Sequence, residues 1–279
     1  MIISTLMDDK KKEGSPLINE HGLSFHIHKE EYNILFDMGA SEYFAYNAQK
    51  MGIDLNNIDL AVISHGHYDH GGGLKTFFKE NKNSEVYLKP LGKYYRINDP
   101  LSPQEINLDI DVLEKNSLRL KYIRENREVL PGIHLISSII QKYDSRQDNN
   151  GLYKMKNGKM VRDDFDHELL MILEEKDKII IISGCSHQGI LNMIETACSL
   201  FPQKHIKAII GGFHLIYPTE FSQKNDYSTH IKKIGEKIAE YPVEMIYTGH
   251  CTSEKSYNIL KEVLKDRLNY AYTGTVIYL

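Results

Sequence analysis

The sequence predicts an α/β fold with helices packed outside stacked sheets, on three observations. Apolar strand-like runs alternate with helix-like stretches along both halves of the chain, the order that builds layered α/β architectures. The run Asp59-Leu60-Ala61-Val62-Ile63 leads into the loop Ser64-His65-Gly66-His67-Tyr68-Asp69-His70-Gly71-Gly72-Gly73 and then into the helical Leu74–Phe78. Two later apolar runs, Ile179–Ser183 and Met245–Thr248, each end in a Gly followed closely by a His.

The elements follow in order. Residues 2–7 predict a first strand. Gly22–His28 alternates, with Leu23, Phe25 and Ile27 on one side and Ser24, His26 and His28 on the other, a half-buried strand. His26 and His28 are read as a solvated strand face rather than a metal pair. Residues 32–37 return as a hairpin after the Lys29-Glu30-Glu31 turn. A short helix is expected over 41–52, ending at Gly52, then a strand at 59–63, a helix at 74–80 and a strand at 85–88. The stretch 90–165 is the least patterned, with strands expected at 118–124 and 133–140 and a polar stretch at 141–151. A hairpin follows at 167–173 and 178–183, turned by Glu174-Glu175-Lys176-Asp177. The rest reads as helix 189–200, strand 206–210, helix 228–240, strand 243–247, helix 253–265 and strand 270–278.

With 279 residues, 41% of them hydrophobic, the chain can bury a sizeable core, and no Pro- or Gly-rich linker divides it, so a single domain over 1–279 is expected. A net charge of −4 gives no basic field for nucleic acid. Lys10–Lys12 and Lys232-Lys233 are short runs that read as solvated faces. Three cysteines, Cys185, Cys198 and Cys251, form no disulfide framework and suit a cytoplasmic setting. The apolar start, Met1–Met7, is shorter than a signal peptide, and no run reaches membrane-spanning length. The expected partner is therefore a small molecule, with no nucleic acid, no membrane and no oligomeric state implied.

The loop at 64–73 carries the chemistry. His65, His67, Asp69 and His70 crowd four donors onto one turn at a strand's C-terminal end, where open α/β folds place reactive groups. Imidazoles at this density repel once protonated, and a divalent metal uses their lone pairs instead. Imidazole suits zinc, iron, copper or nickel, and the carboxylate adds a hard oxygen. The turn is too compact to enclose one ion, so it reads as half of a two-metal site.

The motif SHGHYDHGGG resembles the signature loop of the metallo-β-lactamase superfamily. Tyr32–Gly39 resembles that superfamily's early strand ending in Asp and Gly, Ile179–Cys185 its metal-bridging strand, and Tyr247-Thr248-Gly249-His250 the strand delivering its last His. Together these landmarks span about 30–279. The set GCSHQGI, GGFHL and GHCTS is similar to the subfamily labelled dihydropterin ribofuranosyl-aminobenzene phosphate synthase or metal-dependent hydrolase. The resemblance implies an αββα sandwich, two divalent ions (zinc first, with manganese, iron or nickel also admitted) and a variable insert at 90–165 walling the site.

His187 and His250 complete the donor set, since each follows an apolar strand and a Gly and so lies at a strand's C-terminal edge. The expected division is His65, His67 and His187 on one ion, and Asp69, His70 and His250 on the other. The sequence departs from the superfamily pattern before the hairpin, where a separate ligand His is usual. Here that stretch reads Arg162-Asp163-Asp164-Phe165-Asp166-His167. His187 is expected to replace the missing ligand. Cys185 stands at the bridging position and reads equally as a ligand or as a buried, unligated thiol. Asp163 and Asp164 are outside candidates, and Asp163 is read as part of a solvated turn. His214, after the strand 206–210, is read as a substrate contact and as acid for a leaving group. Thr252 and Ser253 read as helix caps beside a helix end that suits an anion.

Two ions suit water activation, so the expected activity is a metal-dependent hydrolase acting on a small ester or phosphoester, with Asp69 both ligand and proton acceptor. One alternative is a synthase joining a pterin to ribofuranosyl-aminobenzene phosphate; Tyr94, Tyr95 and Phe213 would then stack on a ring, although such aromatic residues more often belong to the core. Another is a metal-dependent small-ligand binder. A redox di-iron role fits less well, because such relatives carry Glu where this chain has His67. A nuclease role fits least, because no basic stripe is present.

Overall fold

The computed structural model describes residues 1–99, 102–145, 149, 151–216 and 225–279. The chain divides into two compact units, one made of Met1–Arg124, Gly151–Leu169 and Tyr272–Leu279, the other of Glu125–Asn150 and Leu170–Ala271.

The first unit is built on a seven-stranded sheet. Its order is Val276–Tyr278, Ile2–Met7, Ser24–Lys29, Tyr32–Phe36, Leu60–Val62, Glu85–Leu88 and Leu120–Tyr122. The first three pairings are antiparallel and the remaining three parallel. Parallel strands are covered on both faces, so they read as unbroken apolar runs: Ile34, Leu35, Phe36, Leu60, Ala61 and Val62 are all buried. Helices Tyr43–Lys50 and Leu74–Glu80 pack Phe44, Ala48, Leu74 and Phe77 against Leu35, Ala61 and Val86. A second, four-stranded sheet runs Lys159–Arg162, Leu152–Lys156, Tyr94–Arg96 and Gln104–Glu105.

The second unit has its own seven-stranded sheet, in the order Leu268–Tyr270, Val243–Thr248, His205–Ile210, Lys178–Ile182, Leu170–Glu175, Ile133–Ile136 and Arg127–Leu130. Its first four strands are mutually parallel. Ile179–Ile182 and Ile206, Ile209 and Ile210 are fully buried. Helices Ile190–Leu200, Asn225–Ala239 and Glu254–Leu264 cover them with Met193, Ile194, Ile231, Ile238 and Leu260. Among the described residues no helix is long and apolar enough to cross a membrane.

The mixed α/β class expected from the sequence is what the chain adopts. The differences have local causes. The stretch 270–278 is not one strand. Leu268–Tyr270 and Val276–Tyr278 belong to different sheets, and between them Gly274 takes φ +88° while the Thr273 hydroxyl bonds to Asp8. The region 90–165 does not act as one insert. Leu120–Tyr122 edges the first unit's sheet, Arg127–Leu130 and Ile133–Ile136 extend the second unit's sheet, and much of the remainder forms the four-stranded sheet. Of its polar stretch at 141–151, residues 146–148 and 150 lie outside the described residues. His26 is buried rather than solvated and bonds to Asn33, and burial pulls its pKa below the ordinary value, helped by His28 against the Asn33 hydrogen bond.

Asn47, fully buried on the helix Tyr43–Lys50, joins three segments of the first unit. Its Nδ2 donates to Leu6 O and Ile18 O at 2.7 Å each, and its Oδ1 accepts from Ile18 N at 2.9 Å. Asn47→Leu removes the partner of all three backbone groups and leaves the Leu6 carbonyl unpaired in the interior. It should lower unfolding free energy by about 2–4 kcal/mol. Urea denaturation checks this, and an unchanged midpoint would contradict it.

Candidate metal centre

The His-rich loop leaves strand Leu60–Val62 and ends in a single helical turn, Tyr68–Gly71. It is held from several sides: Met38 N donates to His70 O at 2.7 Å, Gly72 N to Gly39 O at 2.9 Å, Leu23 N to Asp69 O at 3.1 Å and Tyr68 N to Ile106 O at 2.9 Å. Gly72 permits this approach, since a Cβ there would lie 2.1 Å from Ala40 O.

The buried Asp37 carboxylate organises the donors. It accepts from Ser64 N, the Ser64 hydroxyl and His70 Nδ1, each at 2.7 Å. With its own O–H donated to Asp37, Ser64 Oγ accepts from His65 Nδ1–H at 2.9 Å. The network therefore assigns the Nδ1–H tautomer to both His65 and His70 and turns each Nε2 lone pair outward. This is how metal-binding histidines are usually held. His65 Nε2 lies 3.1 Å from His67 Nδ1, so one cation can satisfy both nitrogens. His70 Nε2 lies 3.6 Å from Asp69 Oδ2. Burial drives the His67 pKa well below its ordinary value, with His167 and His70 adding to it and Asp69 and Asp163 opposing, so the ring stays neutral. His21 bridges two carboxylates, its Nε2 3.3 Å from Asp69 and its Nδ1 2.9 Å from Asp9.

The segment after strand Lys159–Arg162 bears on the same loop. Gly66 N donates to His167 Nδ1 at 3.0 Å, and His167 Nε2 donates to Asp163 Oδ2 at 3.0 Å. Asp163 is therefore not part of a solvated turn, because its side chain is fully buried. Burial raises its pKa, but His167 and the Phe165 N–H outweigh that and leave it below the ordinary carboxylate value. Asp164 instead pairs with Lys154. Tyr94, given a stacking role only in the synthase alternative, takes the core reading instead: it is buried and stacks on His167 at 4.0 Å between centroids. Tyr95 reaches Glu105.

In the second unit three neighbouring parallel strands end in loops at one sheet edge. Lys178–Ile182 leads to Cys185 and His187, His205–Ile210 to His214, and Val243–Thr248 to His250 and Cys251. His187 Nδ1 donates to Asn149 Oδ1 at 2.9 Å while Asn149 Nδ2 donates to His187 O at 2.7 Å, which turns the His187 Nε2 lone pair outward. The His187 and His214 rings lie 4.1 Å apart. His214 is 8% exposed, and its Nδ1 has no hydrogen-bond partner among the described residues. Donor atoms of Cys185, His214 and Cys251 lie within 4.8 Å of one another, and all three residues are buried. Cys251 Sγ accepts from His214 N at 3.1 Å and bonds to Cys185 O at 3.6 Å. Burial raises the Cys251 pKa, but hydrogen bonds involving Cys185 and His214 and the nearby imidazoles carry it well below the usual thiol value. Ser253 caps the helix Glu254–Leu264, whereas the Thr252 hydroxyl accepts from Phe213 N at 3.0 Å.

Backbone strain marks the same places. Asp37, Phe165, Ser186, His214 and His250 all take positive φ, between 47° and 58°, in loops that carry these donors or their partners. Non-glycine residues persist in that conformation where surrounding contacts enforce it, commonly at functional sites. The other such non-glycine residues among the described ones, Glu30, Asn157, Lys176 and Lys265, sit in hairpin turns or at a helix end.

A sequence model of the metallo-beta-lactamase superfamily matches residues 19–190, more than half of the chain. The chain belongs to the metallo-β-lactamase superfamily. It is 31% identical over 292 aligned residues to a Methanocaldococcus jannaschii protein named 7,8-dihydropterin-6-methyl-4-(beta-D-ribofuranosyl)-aminobenzene-5'-phosphate synthase, covering 99% of this chain and 95% of that one. The crystal structure of Tm1679, described as a metal-dependent hydrolase of the beta-lactamase superfamily, superposes with a TM-score of 0.81 at 28% identity, covering 100% of this chain and 99% of the other. Zn(2+)-bound PqqB from Methylobacterium extorquens shares the fold, with a TM-score of 0.55 and 12% identity over the full length of both chains.

The donors fit a divalent ion. Each unit holds imidazole with one nitrogen anchored and the other lone pair outward, beside a carboxylate in the first unit and thiols in the second, and all are donors of the zinc type. The sequence assigns no supporting role to Ser64, His21, Asn149 or His167, and it marks Asp37 only as the acidic end of an early strand.

Asp37→Asn replaces an anion that accepts three hydrogen bonds with an amide. It should weaken metal binding by about 10–100-fold. Competition against a chromophoric chelator measures this, and wild-type affinity in the variant would refute the role given to Asp37.

Proposed function

We propose that this chain is a metal-dependent hydrolase that activates water against a small ester or phosphoester. The observation that carries this reading is the Asp37–Ser64 relay, which turns the Nε2 lone pairs of His65 and His70 outward on the loop that holds His67 and Asp69. Likeness to Tm1679, described as a metal-dependent hydrolase, supports it. In this reading His65, His67 and His187 hold one ion and Asp69, His70 and His250 the other, with the Cys185 thiolate as a further ligand. Zinc suits the imidazole-rich set best. When bound, the ions lower the pKa of water and polarise the scissile bond. Asp69 accepts the proton released by the attacking water, and His214 meets the substrate and protonates its leaving group.

A synthase joining a pterin to ribofuranosyl-aminobenzene phosphate is the second reading, and the named Methanocaldococcus jannaschii relative favours it. A cavity of about 380 Å³ in the second unit also suits an apolar ring, with charges of both signs, Asp144 among them, around it. Ile190, Phe213, Leu215 and Ile234 supply its apolar lining, and Lys233 and Lys237 its cations.

The test measures metal content and turnover on one preparation, using aryl phosphomonoesters, phosphodiesters and carboxyl esters, with His65→Ala and His187→Ala alongside. The hydrolase reading expects two metal equivalents and activity lost in both variants. Bound metal with no turnover on any ester would favour the synthase. Full metal content in the His187→Ala protein would overturn the ligand set.

A further inference from the structure

We infer that Asp163 and His167 are positioning residues for the His65–His67 pair, holding the peptide between the two imidazoles so that their nitrogens face one point. The inference rests on the proposed reading of His65 and His67 as metal ligands. Gly66 is the residue between them, and its N–H donates to His167 Nδ1 at 3.0 Å. Because Nδ1 accepts, the proton of the neutral ring sits on Nε2, which donates to Asp163 Oδ2 at 3.0 Å. The other Asp163 oxygen accepts from Phe165 N at 2.9 Å. Both side chains are buried, 1% exposed for His167 and 0% for Asp163.

The same segment holds the loop a second time. Leu169 N donates to Ser64 O at 2.7 Å, so residues 163–169 hold the backbone on both sides of His65. Tyr94 closes the arrangement. Its ring lies 4.0 Å from that of His167, and a Cβ on Gly66 would fall 2.3 Å from Tyr94 Cε2. Glycine at 66 is therefore a requirement of this packing.

Donor atoms of His67, Asp163 and His167 lie within 4.8 Å of one another, so the trio resembles a metal site in its own right. The hydrogen bonds decide against that. The Nδ1 lone pair of His167 is engaged by Gly66 N–H, and its Nε2 carries the proton given to Asp163. Ligation by His167 would break one of these bonds. If Nδ1 turned to the metal, the Gly66 amide would lose its partner in the interior.

The full-length protein tests this through His167→Gln, His167→Leu and Asp163→Asn. Glutamine can accept from Gly66 with its oxygen and donate to Asp163 with its nitrogen, whereas leucine can do neither. Zinc affinity is read by chelator competition, and site geometry by the visible spectrum of the cobalt-loaded protein. The thermal midpoint of chelated protein controls for folding. His167→Leu should weaken zinc binding about 10–100-fold, with Asp163→Asn between it and wild type. His167→Gln should restore near wild-type affinity and spectrum. Wild-type affinity in both His167→Leu and Asp163→Asn would overturn the inference. So would loss in His167→Gln as large as in His167→Leu with an altered cobalt spectrum, which would make His167 a ligand. If His167→Leu does not fold, the other two variants decide. His65→Ala separates the two failures. Metal lost there but kept in the 163 and 167 variants sinks only the positioning role. Metal kept in His65→Ala sinks the ligand reading beneath it.

Discussion

The buried carboxylate of Asp37 is the constraint on which the first unit's donors depend. An anion in the interior survives only with its oxygens satisfied, and here Ser64 N, Ser64 Oγ and His70 Nδ1 satisfy them. Sheet register brings these groups together. Strands Tyr32–Phe36 and Leu60–Val62 are parallel with Phe36 opposite Val62, so both chains leave the sheet at the same level. Asp37 then turns through a left-handed φ of 58°, and Ser64 meets it one residue beyond Ile63. The apolar pairing of two strands thus fixes which nitrogen of each histidine carries a proton.

The second unit reaches a similar result with other means. Its isoleucine-rich parallel strands end side by side, and glycines let the following loops touch. Gly212 N donates to Gly184 O at 2.7 Å, and a Cβ at Gly212 would strike Cys251 Sγ at 2.4 Å. Cys251 links the loops of Cys185 and His214, and Ser186 Oγ donates to Gly212 O at 2.8 Å. With three loop ends bonded to one another, the positive φ angles of Ser186, His214 and His250 are held in place.

What was legible in the sequence was local. His65, His67, Asp69 and His70 fall within one turn, and the strand–Gly–His pattern announced His187 and His250 within a few residues of their strands. Central strands were readable because burial on both faces writes an unbroken apolar run. The supports were not readable, because each is a pairing across distance. Ser64 meets Asp37 from 27 residues away, His187 meets Asn149 from 38, and Gly66 meets His167 from 101. The partner of Tyr94 was not readable for the same reason, since an aromatic residue in an unpatterned stretch gives no sign that its ring faces a buried histidine.

The way each imidazole is anchored also bears on the missing superfamily histidine. His65 donates its Nδ1–H to Ser64, His70 to Asp37 and His187 to Asn149, and in each ring the second nitrogen is turned outward. His167 is arranged differently, for it accepts at Nδ1 and donates at Nε2 and has no nitrogen to offer. A histidine anchored at one nitrogen is prepared as a ligand, and one engaged at both is prepared as a strut. By that criterion the histidine nearest in sequence to the usual ligand position supports the loop. The ligand role proposed for His187 agrees with its Nδ1–H bond to Asn149, which points Nε2 away from that partner.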